Sequence, residues 1–135
     1  MAEVVLFTGQ KKSGVYAIAP ELASTSADRI CDNADFKDVT LDGNCISDKQ
    51  SFLEAAARAL DFPETFGGNW DAFYDYLIDL SWLGKANGYA ITFKHADKFR
   101  SADPNAFAIA CDLFRDAAVF WEKQKRPMIV LVEIP

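Results

Sequence analysis

Positive charge is scarce in this chain: 14 Lys and Arg stand against 20 Asp and Glu, leaving a formal net charge of −6. That balance excludes direct nucleic-acid binding, which needs a basic footprint to neutralise phosphates, and suits a basic protein partner instead. Histidine is scarcer still. The single His95 precedes Asp97 with no serine or cysteine nucleophile motif nearby, and is read as a solvent-exposed loop residue. The chain has no Walker loop, G-x-G-x-x-G, H-E-x-x-H or C-x-x-C. No catalytic residue, metal ligand or cofactor is assigned, and the protein is not expected to be an enzyme.

Cysteine is also sparse. Cys31, Cys45 and Cys111 are odd in number and far apart, which fits buried reduced thiols rather than a disulfide framework or metal site, and so a cytoplasmic protein. No apolar run approaches the ~20 residues that span a bilayer, and no basic segment followed by an apolar core opens the chain. Neither membrane contact nor secretion is expected.

What the chain does have is apolar bulk. Half of its 135 residues are hydrophobic and 13% are aromatic, enough for one globular domain with a sizeable core. Residues 4–7 and 14–19 are β-prone runs joined by a polar turn and read as a hairpin. A short helix is expected over 21–33 and a strand over 36–41, after which Asp42 and Gly43 turn the chain. Ser47 and Gln50 have the spacing of a capping box, so a helix is expected from there with Phe52, Leu53, Ala56, Ala57 and Leu60 on its apolar face and Pro63 as its stop. A strand over 89–93 follows. Asp103 and Pro104 then open a long helix whose face carries Phe107, Cys111, Phe114, Ala118 and Trp121, and residues 128–132 form an apolar strand buried on both faces. Strands alternating with helices imply a parallel α/β sheet.

The segment between those elements carries the chemistry. Asn69 can cap a helix over 69–80, leaving Gly67 and Gly68 free for unusual backbone angles or for close approach of another surface. Asp71, Asp75 and Asp79 then lie four residues apart on one face. Like charges at that spacing weaken a helix by roughly 0.2–0.5 kcal/mol per pair. No Lys or Arg occurs between Arg58 and Lys85 to relieve them. Asp71 is favoured in the first turn by the helix dipole, and a solvated acidic face is the plain alternative. A shared divalent cation is disfavoured, because residues 71 and 79 stand about 12 Å apart along the axis at ~1.5 Å per residue. Trp70, Phe73, Tyr74 and Leu77 supply the opposite, apolar side.

The order Phe66-Gly-Gly-Asn-Trp-Asp-Ala-Phe-Tyr-Asp-Tyr-Leu77, with Asp61-Phe-Pro-Glu64 before it and Asp79-Leu-Ser-Trp-Leu83 after it, closely resembles the central motif of the barstar family of ribonuclease inhibitors. The likeness extends over residues 36–135, with residues 1–35 an N-terminal β-containing extension packed on the same domain. It implies a barstar-like three-layer α/β fold, a small parallel sheet flanked by helices. It also implies an inhibitor that blocks a basic ribonuclease with the helix and its preceding loop. On that resemblance Asp75 enters the phosphate pocket and Asp71 pairs a cation at its edge. Gly67 and Asn69 approach the enzyme through backbone and amide groups, and Tyr74 falls where a tryptophan is found. Thr65 and Gly68 depart from the aromatic and acidic residues at their loop positions, while Phe66 keeps an aromatic. The expected contact set is thus Thr65, Phe66, Gly67, Gly68, Asn69, Asp71, Tyr74, Asp75 and Asp79. The alternative is a non-inhibitory interaction or regulatory module that binds another basic protein. A monomer is expected, with self-association through residues 1–35 as the other arrangement.

Overall fold

The computed structural model describes residues 13–21, 36–64 and 66–134. Strands β1 (Gly14–Ile18), β2 (Phe36–Asp42), β3 (Gly88–Lys94) and β4 (Met128–Glu133) pair in the order β1-β4-β3-β2, and every neighbouring pair is parallel. Between them run helices α1 (Lys49–Ala59), α2 (Trp70–Leu77), α3 (Ala96–Ala102) and α4 (Pro104–Lys123). This is the α/β architecture expected of the strand and helix alternation.

Register explains where the core sits. Ile91 lies opposite both Val39 and Val130, so alternate residues of adjacent strands point to the same face. On that face Leu41, Tyr89, Ile91, Phe93, Met128, Val130 and Val132 join one cluster with Phe52 and Leu53 of α1, Phe73 and Leu77 of α2, Phe99 of α3, and Phe114 and Trp121 of α4. Phe52 is its hub, with its ring 5.3 Å from Phe99 and 5.4 Å from Phe73. Residues of the other face, Ile18, Ala90, Ile129 and Leu131, are buried too, so β4 is apolar from Met128 to Val132 because neither of its faces meets water.

Several boundaries differ from the sequence-based expectation for local reasons. The α1 cap is Asp48, not Ser47: its Oδ1 accepts from the Ser51 N–H at 2.8 Å while Ser51 Oγ accepts from the Asp48 N–H at 3.1 Å. A carboxylate is the stronger acceptor beside the positive end of the helix, so the box slides by one residue and Gln50 turns to Glu54 instead. The same helix ends before Pro63. Asp61 takes the left-handed conformation (φ +54°), and the Phe62 N–H returns to the Ala57 carbonyl at 2.9 Å, closing the last turn. Helix α3 has no counterpart in the sequence-based expectation, and His95, expected in a loop, is instead its N-cap residue, with φ +55°.

The expected strand at 4–7, and with it the hairpin, lies outside the described residues, as do Thr65, Cys31 and the expected helix 21–33 beyond Glu21. The strand expected over 14–19 is present as β1 and runs along β4 from Gly14 opposite Ile129 to Ile18 opposite Glu133. Ser13 fastens its start, accepting from the Met128 N–H at 2.9 Å and donating to the Ala118 carbonyl at 2.7 Å.

Candidate partner-binding site

The loop between α1 and α2 is held from beneath by aromatic rings. Phe62 packs on Phe66 (4.9 Å between centroids), Tyr76 (5.4 Å) and Trp82 (5.8 Å), and Phe66 also reaches Tyr76 at 5.7 Å. The Trp82 indole N–H donates to the Leu60 carbonyl at 2.9 Å, tying the segment after α2 to the end of α1. Phe66 is therefore half-buried packing, while Gly67, Gly68 and Asn69 stay exposed. Only Gly68 has a positive φ, +71°, with open space around it, so backbone conformation rather than crowding requires glycine there. Gly67 has neither constraint, since a Cβ would meet only ordinary contacts at 3.5 and 3.9 Å.

Asn69 caps α2 as expected, its Oδ1 accepting from the Ala72 N–H at 2.7 Å. The amide oxygen is thus spent on the helix, leaving the amide nitrogen as the group able to face a partner. Asp71 follows in the first turn, and Asp71 and Asp75 are both exposed on the outer side. Phe73 and Leu77 are fully buried beneath them.

The helix stops at Leu77, not Leu80. Ile78 is its C-cap, Leu80 is left-handed (φ +54°), and the buried Trp121 indole N–H donates to the Leu77 carbonyl at 3.0 Å. A last-turn carbonyl that a longer helix would have satisfied is closed instead by a side chain 44 residues away. Asp79 consequently leaves the ridge: its carboxylate accepts from the Ser81 N–H at 3.2 Å and starts a short 3₁₀ turn, Ser81–Leu83.

Its place is taken by a residue that sequence reasoning did not single out. Asp116 of α4 joins Asp71 and Asp75 around a cleft of about 450 Å³ whose other lining is Trp70, Tyr74, Ile109 and Leu113. Residues 109, 113 and 116 share a helix face by periodicity, but nothing local says that this face abuts α2. Ile109 is 41% exposed, unusual for an isoleucine in a molecule with so large a core. The Lys49 ammonium of α1 stands 6.0 Å from the centre of the Trp70 ring, a cation brought to the start of α2 by packing and not by the chain between residues 58 and 85. A larger, more apolar cavity of about 560 Å³ lies on another flank of α4, between it and β1, and contains no aspartate.

An exposed helix bearing two acids, a third acid from a neighbouring helix and a capped glycine loop are the surface features; the family model for Barstar (barnase inhibitor) matches residues 36–133. The chain belongs to the barstar family. No match is found among curated proteins. The barstar match spans β2 to β4 and helices α1 to α4 and leaves β1 outside. Barstar-family membership carries ribonuclease inhibition as a family-level function, binding rather than catalysis. His95 lies at the end of β3, apart from the motif in sequence; its backbone N–H donates to Glu133 Oε1 at 3.3 Å and its ring Nδ1 is 3.9 Å from the same oxygen. Among the described residues no three His, Cys, Asp or Glu are grouped to hold a metal ion, and no helix is long and apolar enough to cross a membrane.

Proposed function

We propose that this protein inhibits a basic ribonuclease of the barnase type by seating the acidic side of α2, its preceding loop and Asp116 in the enzyme's active site. The observation that carries the reading is the convergence of Asp71, Asp75 and Asp116 from two helices around one cleft with apolar walls. A ribonuclease holds its phosphate with Arg, Lys and His groups aimed at developing negative charge. A carboxylate on a rigid helix can occupy that position while offering no bond to cleave. Asp75, in the middle of the exposed face, is assigned to the phosphate pocket, and Asp71 to a cation at its rim.

The cleft adds a second mode of contact. Three carboxylates around Ile109, Leu113 and the Trp70 and Tyr74 rings suit a partner arginine, whose guanidinium meets the acids while its stem covers apolar surface. Gly67, Gly68 and Asn69 contribute backbone and amide groups, with Thr65 and Phe66 beside them; Asp79 flanks the surface from beyond the helix. Opposite net charges also raise the encounter rate. The thiols of Cys111, buried as expected, and Cys45, exposed in the turn after β2 and not buried, are both free and support action in the cytoplasm.

The second reading, an interaction module for another basic protein, is favoured by one observation: β1 extends the sheet at its β4 edge and lies outside the family match. The two separate in an RNA-cleavage assay. Titrated into barnase, or a basic ribonuclease from the same source organism, the protein should end cleavage sharply at equal molar amounts and show no cleavage of its own. Undiminished cleavage at excess protein would favour the module, and intrinsic cleavage lost in Asp75→Asn would favour an enzyme.

A further inference from the structure

The seam between α2 and α4 continues past the acidic cleft. Along α4 and its C-cap, Ile109, Leu113, Asp116, Phe120 and Gln124 recur at spacings of four, three, four and four, one helical stripe. Its first half lines the acidic cleft. Its second half, with Trp121, lines another cavity of about 380 Å³, bounded by Ile78, Leu80, Lys85, Tyr89 and Arg126. At ~1.5 Å rise per residue, Asp116 and Gln124 are about 12 Å apart, so the two cavities are neighbours on one surface.

The charge of the second cavity is reversed. Arg126 and Lys85 line it against Asp79, whose carboxylate already accepts from the Ser81 N–H. Arg126 is held in place by the way α4 ends. Lys125 is left-handed (φ +61°), its N–H returns to the Glu122 carbonyl at 3.0 Å, and the Arg126 N–H returns to the Trp121 carbonyl at 3.0 Å. That closure folds Arg126 back so that its guanidinium carbon lies 4.7 Å from the centre of the Trp121 ring. The Trp121 ring is fixed in turn by its bond to the Leu77 carbonyl.

Stacking uses the face of a guanidinium and leaves its edge N–H donors available. Among the described residues no carboxylate forms an ion pair with Arg126 or Lys85. Tyr89 stands beside them. Burial raises its hydroxyl above the ordinary value, Arg126 pulls it down and Asp79 pushes it up, so it remains a neutral donor. A basic residue past a helix end usually just complements the dipole, and the exposed Lys123 and Lys125 serve for that. Arg126 differs in being half-buried, set over the Trp121 ring and part of the lining of a cavity with aromatic walls.

We propose that this cavity receives a carboxylate side chain of the protein partner, about 12 Å from the cation taken by the acidic cleft, so that the α2–α4 seam selects its partner by a pair of opposite charges. Continuity with the acidic surface and the complementary charge argue for a carboxylate on that same partner. The proposal rests on the reading of α2 as the contact helix.

Charge reversal separates it from general electrostatics. Against a basic ribonuclease, Arg126→Glu makes the protein more acidic, and steering alone would tighten binding; a carboxylate subsite predicts about tenfold weaker binding instead. Lys85→Glu, at an exposed position, should act in the same direction and guards against a folding defect at Arg126. A partner-free measurement accompanies these: NMR titration of the whole protein with N-acetylglutamate amide, and with N-acetylglutamine amide as the neutral control. The expected result is a saturable shift of the Arg126 side-chain and Trp121 indole signals with glutamate only, lost in Arg126→Gln. If the wild-type protein inhibits no ribonuclease, the proposed function fails while this titration still decides the cavity. Unchanged or tighter binding of both charge-reversed variants, or shifts that do not distinguish glutamate from glutamine, would overturn the proposal.

Discussion

The two sides of α2 divide the work of this protein between them. Its inner side places Phe73 and Leu77 at 0% exposure in the central cluster, while its outer side leaves Asp71 and Asp75 in solvent a few ångströms away. Burial makes the inner residues answerable to packing density and the outer ones to charge alone. An eight-residue helix is too short to stand by itself, so the inner side is what makes the outer side rigid. Stability and recognition are therefore separable by substitution within one helix.

The sharpest break in that comparison is Phe73→Ala. Removing a ring that meets Phe52, Phe114 and Trp70 should cost about 3–5 kcal/mol of stability, read by chemical denaturation, and binding should fall only through unfolding. Asp75→Ala should do the reverse. It is expected to weaken ribonuclease binding by at least ~2 kcal/mol in calorimetric titration, with an unchanged melting temperature, because losing one of two like charges relieves repulsion of only roughly 0.2–0.5 kcal/mol. Equal losses of stability and affinity in either variant would merge the two sides.

Smaller changes act at the helix ends. Asn69→Ala removes the acceptor for the Ala72 N–H and should lower stability by about 1 kcal/mol, whereas Asn69→Asp should retain it, as thermal melts of the two variants would show. The smallest effect belongs to the α1 cap. The Asp48 carboxyl is held below its ordinary value of 3.8 by hydrogen bonds from the backbone and then the side chain of Ser51. A depressed folded value means that the contribution is present above the unfolded value and lost as pH falls through the folded one. Asp48→Asn should therefore trail the wild type at neutral pH and match it in acid; a constant gap across that range would assign the cap no charge component.

Legibility from sequence followed the range of the interaction. The Asn69 cap and the Asp103–Pro104 start were readable because their partners lie within a few residues, and β4 because its unbroken apolar composition marks a strand buried on both faces. The shifted capping box and the early end of α1 were misjudged within the same range. There, competition between adjacent acceptors such as Ser47 and Asp48, and the left-handed turn at Asp61, decide the outcome. The short α3 gave no strong signal, since seven residues carry too little periodicity. Of the expected contact residues, Asp71, Tyr74 and Asp75 gather at the cleft, while Asp79 is drawn to Ser81 and Phe66 into the aromatic underside.

By itself the sequence determined the helix and strand alternation, the capped start of α2, its acid spacing and the family motif, all of which are matters of chain-local geometry and residue type. The tertiary structure decided that α2 ends at Leu77, that Asp116 completes the acidic cleft, that Lys49 stands by the Trp70 ring, and that Arg126 lies over Trp121 in a cavity of opposite charge. Each of those depends on helices remote in the chain packing onto one face of the sheet. Periodicity tells which residues of a helix turn inward together, but only packing sets which neighbour their outward flank meets.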